Sequence, residues 1–357
     1  MTSEKVKAVA HELGFELAGV TSARPTIESL FYPEWLEQGF AAEMEYLKGR
    51  RGEMRADPRS LLPSAESVIC VGLVYNTDAA YSTDVECGDR GWISRYAWGE
   101  DYHDVLKKKL HKLAERLREE AGPFEYKVCV DTSPLLERAY AHRAGLGWIA
   151  QNTCLINQQL GSWVFLGEVL TSLELESDQP APFRCGTCTR CIEACPTDAI
   201  VPTGRTEGPA YALDSNRCIS YWNIELRGPI PERNRSEMGA QLFGCDICQD
   251  VCPWNRGAAR TDAEEFQPKN ELPSLTELAA LTQEEFNERF EHTPIERTRY
   301  RGFLRNVAVA MGNSSERKFL ERLKILAESP DPVVREHAEW AISKLDRAAD
   351  SRANPLV

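Results

Sequence analysis

Eight of the twelve cysteines lie between Cys185 and Pro253, and their spacing restricts what this chain can fold into more than any other stretch. The first run, Cys185-Gly186-Thr187-Cys188-Thr189-Arg190-Cys191-Ile192-Glu193-Ala194-Cys195-Pro196, is C-x-x-C-x-x-C-x-x-x-C-P. At that spacing, short turns let consecutive thiolates wrap one face of a cubane iron–sulfur cluster. The second run, Cys245-Asp246-Ile247-Cys248-Gln249-Asp250-Val251-Cys252-Pro253, ends the same way with one cysteine fewer, and Cys218 stands alone between them. Each [4Fe-4S] cluster takes four thiolates, so eight thiols predict two clusters. The last cysteine of each run is expected to cross to the other cluster. Cys185, Cys188, Cys191 and Cys252 then hold one, and Cys195, Cys218, Cys245 and Cys248 the other.

Two other uses of cysteine fit less well. A disulfide framework goes with secretion, but the N-terminal stretch reads as a charged amphipathic helix, and Cys70, Cys87, Cys129 and Cys154 are scattered. Zinc ribbons use two separate C-x-x-C pairs and have no C-P ending. Reduced cysteines and clusters, with no apolar stretch long enough to span a bilayer, predict a cytoplasmic location and no membrane partner.

A chain of 357 residues, 42% hydrophobic and 27% charged, predicts two or three folded units. The expected fold is α+β and multidomain: a mixed α/β domain over 1–177, a ferredoxin-like two-cluster domain over 178–262 and a helical domain over 263–357. In the first, periodicity predicts a helix over Glu4–Leu13, a short strand over Phe15–Val20 and helix over Trp35–Gly49. A buried strand is expected over Ser67–Tyr75, an amphipathic helix over Asp104–Ala121 and a strand over Tyr126–Val130. A helix opening at Pro134 and paired strands over Asn152–Ser172, turning at Gly161-Ser162, complete it. The tail from Leu272 reads as helices, and Pro332–Leu345 is HEAT-like, with a plain bundle equally open.

The net charge of −13 argues against an overall basic nucleic-acid coat. Residues 296–318 run the other way: Arg297, Arg299, Arg301, Arg305, Arg317 and Lys318 face only Glu296 and Glu316, about +4 net. Tyr300 and Phe303 interleave with the arginines, a pattern compatible with phosphate contacts, though a solvated helical face is the commoner use.

Cubane clusters hand over single electrons, so the first domain is expected to hold a second redox centre or a substrate. The best acid candidate is Asp131, at the C-terminal end of a strand where open α/β sheets place ligands. Spacing alone equally permits, and favours, a capping role for it. Asp101-x-His103 matches the start of D-x-H-x-x-G, by which some corrinoid enzymes ligate cobalt, but Leu106 occupies the glycine position. His103 therefore reads as a helix-entry residue and His142 as packing.

Arg55-x-Asp57-Pro58, Ile93-Ser94-Arg95-Tyr96, Asp131-Thr132-Ser133-Pro134-x-x-Glu137-Arg138, Gly145-Leu146-Gly147-Trp148-Ile149-x-x-Asn152-Thr153 and the two cysteine runs stand in that order. In this the chain resembles the epoxyqueuosine reductases over nearly its whole length. The resemblance implies a cobalamin-dependent iron–sulfur oxidoreductase, related to reductive dehalogenases, that removes the epoxide oxygen from epoxyqueuosine at the tRNA wobble position. It implies cobalamin in the 1–177 domain cycling between cob(II)alamin and cob(I)alamin, and Asp131 as proton donor with a raised pKa. By the same resemblance Arg55, Ser94, Asp131, Ser220, Asn223 and Asp246 lie near the corrinoid, although the family usually has threonine where Asn223 stands.

The implied partners are tRNA carrying epoxyqueuosine, met by the basic stretch and the 263–357 domain, and an external electron donor, with the chain a monomer. A corrinoid enzyme acting on a small organohalide and an iron–sulfur electron-carrier subunit are the alternatives.

Overall fold

The computed structural model describes residues 1–205, 208–270 and 272–353. Its first part is built on a four-stranded antiparallel sheet in the order β1 (Leu17–Ser22), β2 (Ser67–Val74), β7 (Val164–Thr171), β4 (Tyr126–Cys129). All eight residues of β2 are buried because both sheet faces are covered, so its sequence is continuously apolar rather than alternating. Ile69, Val71 and Leu73 pack with α1 (Ser3–Glu12) and α4 (Tyr102–Ala121). Val68 and Cys70 point the other way, toward α5 (Glu137–Arg143). Helix α4 starts where Asp101 accepts the His103 backbone N–H and stops at Gly122, whose φ of 81° favours glycine. Its Leu106, Leu110, Leu113 and Leu117 are fully buried, each stabilising the fold by about 1.5–3 kcal/mol.

Three local expectations fail. The helix anticipated over Trp35–Gly49 is instead α2 (Glu28–Glu37) and α3 (Gly49–Met54), joined by turns. Pro33 is tolerated inside α2, and the chain leaves the helix through Gly39, with φ of 74°. Pro134 does not open a helix; α5 begins at Glu137, since Leu136, with ψ of 70°, is still outside helical geometry. Asn152–Ser172 is no hairpin: β6 (Leu155–Ile156) pairs with β5 (Trp148–Ile149), while β7 crosses between β2 and β4. A single bridge, Asn157 to Gly161, is all that links the two halves of that segment.

The cysteine-bearing part contains α6 (Arg190–Glu193), the antiparallel pair β8 (Ile200–Pro202) and β9 (Tyr211–Leu213), α7 (Glu232–Arg235), β10 (Gln241–Phe243) and α8 (Ile247–Asp250). Strand β10 pairs in parallel with β3 (Trp92–Ile93), which ties this part to the first. Then come α9 (Leu275–Ala280), α10 (Gln283–Phe290), α11 (Arg299–Asn313), α12 (Leu320–Ala327) and α13 (Pro332–Ala353), with α13 packed on both α11 and α12. One apolar core runs from Trp92 and Trp98 through Trp222 and Phe243 to Phe303, Leu323 and Trp340, so these parts are locked together.

Candidate active site

A polar cleft of about 600 Å³ opens at the C-terminal end of β4, walled by the start of α4, the β7 edge and the Ile224–Glu225 and Thr293–Arg297 segments. His103 and Asp131 meet on its wall, with Nε2 of the histidine 3.1 Å from Oδ2 of the aspartate. On its other side, His103 Nδ1 lies 2.6 Å from Asp101 Oδ1, an oxygen that also accepts the His103 backbone N–H at 2.9 Å. The cap that starts α4 therefore also orients the imidazole. Tyr102 stacks on that ring and, on Phe165, lies almost parallel at 4.3 Å. Asp131 is 45% exposed, facing the cleft, with Arg297 Nη1 at 3.9 Å. Its backbone N–H donates to the Glu137 carboxylate, and Arg51 holds the next carbonyl, that of Thr132, at 2.6 Å.

The electrostatics assign the resting proton. Burial works against charge on His103, but hydrogen bonds to Asp101 and Asp131 and their charges outweigh it and push its pKa up to about 9. Burial likewise works against charge on Asp131. His103, Arg297 and Arg138 more than compensate and hold its carboxyl below the usual carboxylate range. The expected raised pKa of Asp131 is thus reversed, because three cations converge on it. Its capping role is also excluded, since α5 starts six residues later without a side-chain cap. His103, read from sequence as a helix-entry residue, does start α4 but is also a member of the site. No sequence signal marks it, because one of the two carboxylates that its ring nitrogens reach lies 28 residues away in the chain.

The thiols gather in two places. Cys185, Cys188, Cys191 and Cys252 line one cavity of about 40 Å³, closed by Ala150, Asn152 and Trp254, and Trp148 Nε1 lies 3.4 Å from Cys185 Sγ. Cys195, Cys218, Cys245 and Cys248 interact with one another deeper in, where burial raises the thiol pKa of Cys218 and Cys245. Among the described residues no three Cys, His, Asp or Glu side chains converge tightly enough for one metal ion.

The remaining site candidates are dispersed. Arg55 is buried and donates to the Arg51 carbonyl at 2.9 Å. Ser94 Oγ donates to Asp246, whose other oxygen accepts from Trp92 Nε1 at 3.2 Å and Arg95 N at 2.7 Å. Asn223 spends its carboxamide on Gly244, accepting from N at 2.9 Å and donating to O at 2.8 Å. Ser220 is half-buried just after Cys218. His142 Nε2 donates to the Ala181 carbonyl, 3.1 Å away, and the residue packs beside an apolar cavity of about 640 Å³ that includes Phe31, Tyr32, Trp35 and Trp148. Arg138 lines both that cavity and the polar cleft, and Ala150 and Gln151 line both it and the Cys185 cavity.

The basic stretch is mostly consumed internally. Arg305 is buried and donates to the carbonyls of Leu226 and Gly228 at 2.8 Å each. Arg297 pairs with Glu225 at 2.7 Å, Arg301 with Asp331 at 3.1 Å, Arg317 with Asp346 at 3.6 Å and Lys318 with Asp89 at 2.9 Å. Arg299 is exposed at the head of α11 with φ of 60°.

Residues 55–132 match the family model described as epoxyqueuosine reductase QueG, DUF1730, and residues 184–255 match the 4Fe-4S double cluster binding domain. The second match spans both thiol sets and supports two iron–sulfur clusters. An epoxyqueuosine reductase of Xanthomonas campestris is 41% identical, covering 95% of each chain. That of Escherichia coli is 38% identical, covering 96% of this chain and 89% of its own. The fold superimposes on a crystal structure of epoxyqueuosine reductase with an epoxyqueuosine-modified tRNA-Tyr stem loop at a TM-score of 0.86 and 32% identity, covering 97% of this chain and 93% of that one. With the enzyme of Streptococcus thermophilus the TM-score is 0.86 at 29% identity, over 99% of this chain and 94% of that one. Shared length, shared fold and eight thiols in two sets converge: the chain belongs to the epoxyqueuosine reductases, a family of oxidoreductases.

Proposed function

We propose that this chain reduces epoxyqueuosine to queuosine at the wobble position of tRNA, with cobalamin between the polar cleft and the apolar cavity and the thiol sets holding its electron-supplying clusters. The observation that carries this reading is the His103–Asp131 pair, a proton store on the wall of a cleft that shares Arg138 with the apolar cavity, which in turn shares Ala150 and Gln151 with the Cys185 cavity. The residues fit a corrinoid: a large amphiphilic ring needs apolar walls, supplied by Phe31, Tyr32, Trp35 and Trp148, and polar groups at its rim, such as Arg138. Arg55 and Ser220 are candidates for direct contact. Ser94, Asn223 and Asp246 are spent on protein partners, so they would support the site through the segments they hold.

When bound, the clusters supply single electrons and the corrinoid a low-valent cobalt able to open an epoxide. The chain's own residues handle the protons. His103 holds one at neutral pH, Asp131 Oδ2 receives it from Nε2, and Asp131 delivers it to the alkoxide oxygen that epoxide opening leaves. Converting an epoxide to an alkene and water consumes two electrons and two protons, so a pair that stores one proton must be recharged twice per turnover, once between the two deliveries and once after them. Arg297 keeps Asp131 anionic between deliveries, and Asp101 fixes the imidazole.

The relative crystallised with a modified stem loop points to tRNA as partner here. Arg299 at the head of α11 and Arg51 beside the cleft residue Thr132 are exposed and can meet phosphates, while the looped-out base enters the cleft beside Tyr102. No described helix is long and apolar enough to cross a membrane.

Reconstituted protein acting on an epoxyqueuosine stem loop, with product read by mass spectrometry, tests the assignment. Asp131→Asn should lower turnover by about 10²-fold or more. Unchanged turnover with an unchanged pH–rate profile would overturn Asp131 as donor.

A further inference from the structure

Behind Asp131 lies a second acidic group that the proton delivery above does not use. Glu168 sits in the middle of β7, fully buried, opposite Cys70 of β2 and Cys129 of β4. Its neighbour Gly167 faces Leu106 and Leu110 of α4, so Glu168 points to the opposite face, where α5 packs. Neither carboxyl oxygen has an N–H or O–H donor. What reaches them is the carboxyl of Glu137, the first residue of α5. Two ionised carboxylates in contact and out of water would repel each other, so the contact requires at least one proton on the pair. Glu137 also accepts the backbone N–H of Asp131, whose φ of 39° is a conformation side-chain-bearing residues rarely adopt.

We propose that Glu137 and Glu168 are a proton-sharing carboxyl pair that positions Asp131 by holding its backbone and sets the proton affinity of the Asp131–His103 pair. This rests on the assignment of Asp131 as donor. The groups facing the pair are Asp131, His103 and Arg138 on the cleft side, Tyr102 on α4, and the thiols of Cys70 and Cys129 on the sheet. Burial, then the charge of Asp131, pushes Glu137 up to about 8, and burial, then Glu137, pushes Glu168 well above the usual carboxylate range. Below that pH the pair is neutral and the cations dominate Asp131. Above it the pair turns negative, and Asp131 and His103 bind their proton more tightly.

Infrared spectra of the whole chain at pH 7 in H2O and D2O should show a protonated carboxyl band that shifts on deuteration and is lost in Glu168→Gln. The amide of the substituted residue donates to Glu137 and stabilises its anion. The limb near pH 8 that Glu137 sets in the reconstituted enzyme's pH–rate profile, separate from the His103 limb near 9, should therefore move down by at least one pH unit. Glu137→Gln, which keeps an acceptor for the Asp131 N–H, should lose that limb while retaining turnover better than Glu137→Ala, by roughly tenfold. Absence of the carboxyl band in the wild-type chain, or a Glu168→Gln profile superimposable on wild type, would overturn the proposal. Retained turnover in Asp131→Asn would instead overturn the reading beneath it.

Discussion

His103 is clamped between two carboxylates, Asp101 at 2.6 Å and Asp131 at 3.1 Å, one on each ring nitrogen. An imidazole that donates from both nitrogens must carry the extra proton. The cationic form is therefore the one this geometry selects, and the cleft holds a proton at neutral pH.

Replacing His103 by Gln should remove the stored proton while keeping a hydrogen-bonding side chain. Turnover is expected to fall by about 10²-fold, and the pH–rate limb near 9 set by the His103 pKa should vanish. A limb that persists in the variant would reassign that titration. Asp101→Asn should weaken the same limb while leaving α4 its cap, since asparagine caps a helix as well as aspartate does.

Stability should follow the same titration. The folded-state pKa of His103 lies above its ordinary value of 6.5, at about 9. Its contribution is fully present below pH 6.5 and is lost as pH rises through about 9. Thermal unfolding followed by circular dichroism should show the melting temperature falling between those values in wild type. The fall should be smaller in His103→Gln.

The thiol grouping makes a directional prediction for Cys252. This residue lies next to the Cys245 and Cys248 run in sequence but shares a cavity with Cys185, Cys188 and Cys191. Cys252→Ala should lower bound iron from about eight to about four atoms per chain. Adding Cys185→Ala should lower it no further, whereas adding Cys245→Ala should remove the rest. Iron analysis on anaerobically reconstituted protein distinguishes these outcomes.

Among the arginines, pairing predicts which ones tRNA will feel. Arg299→Glu should weaken binding of a stem loop and reduce the salt slope of its affinity by about 1. Arg317, already paired with Asp346, should tolerate the same change with little loss. Fluorescence titrations across a range of salt concentrations would show this, and equal losses at the two positions would refute it.

The cysteine runs were legible because cluster ligation is local: its C-x-x-C turns are encoded within a dozen residues, and the C-P endings mark where each run hands a ligand away. Strand β2 and helix α4 were legible for a related reason, since burial writes its periodicity directly into the order of Val, Ile and Leu. The chain by itself therefore determined that two clusters adjoin an α/β unit. Motif order alone pointed to the family.

The cluster of titratable groups at the cleft was decided only in three dimensions. His103 follows an ordinary helix cap, Glu168 hides in an otherwise apolar strand, and Asp131 looks like a capping residue until its φ of 39° and its distance from α5 are seen. Their ionisation depends on which charges lie within a few ångströms, and the fold brings those charges together from positions as far apart as His103 and Arg297. The same holds for the basic stretch. Its net charge is a property of the sequence, but whether a guanidinium is free to meet phosphate is settled by the carboxylate or carbonyl the tertiary structure puts beside it.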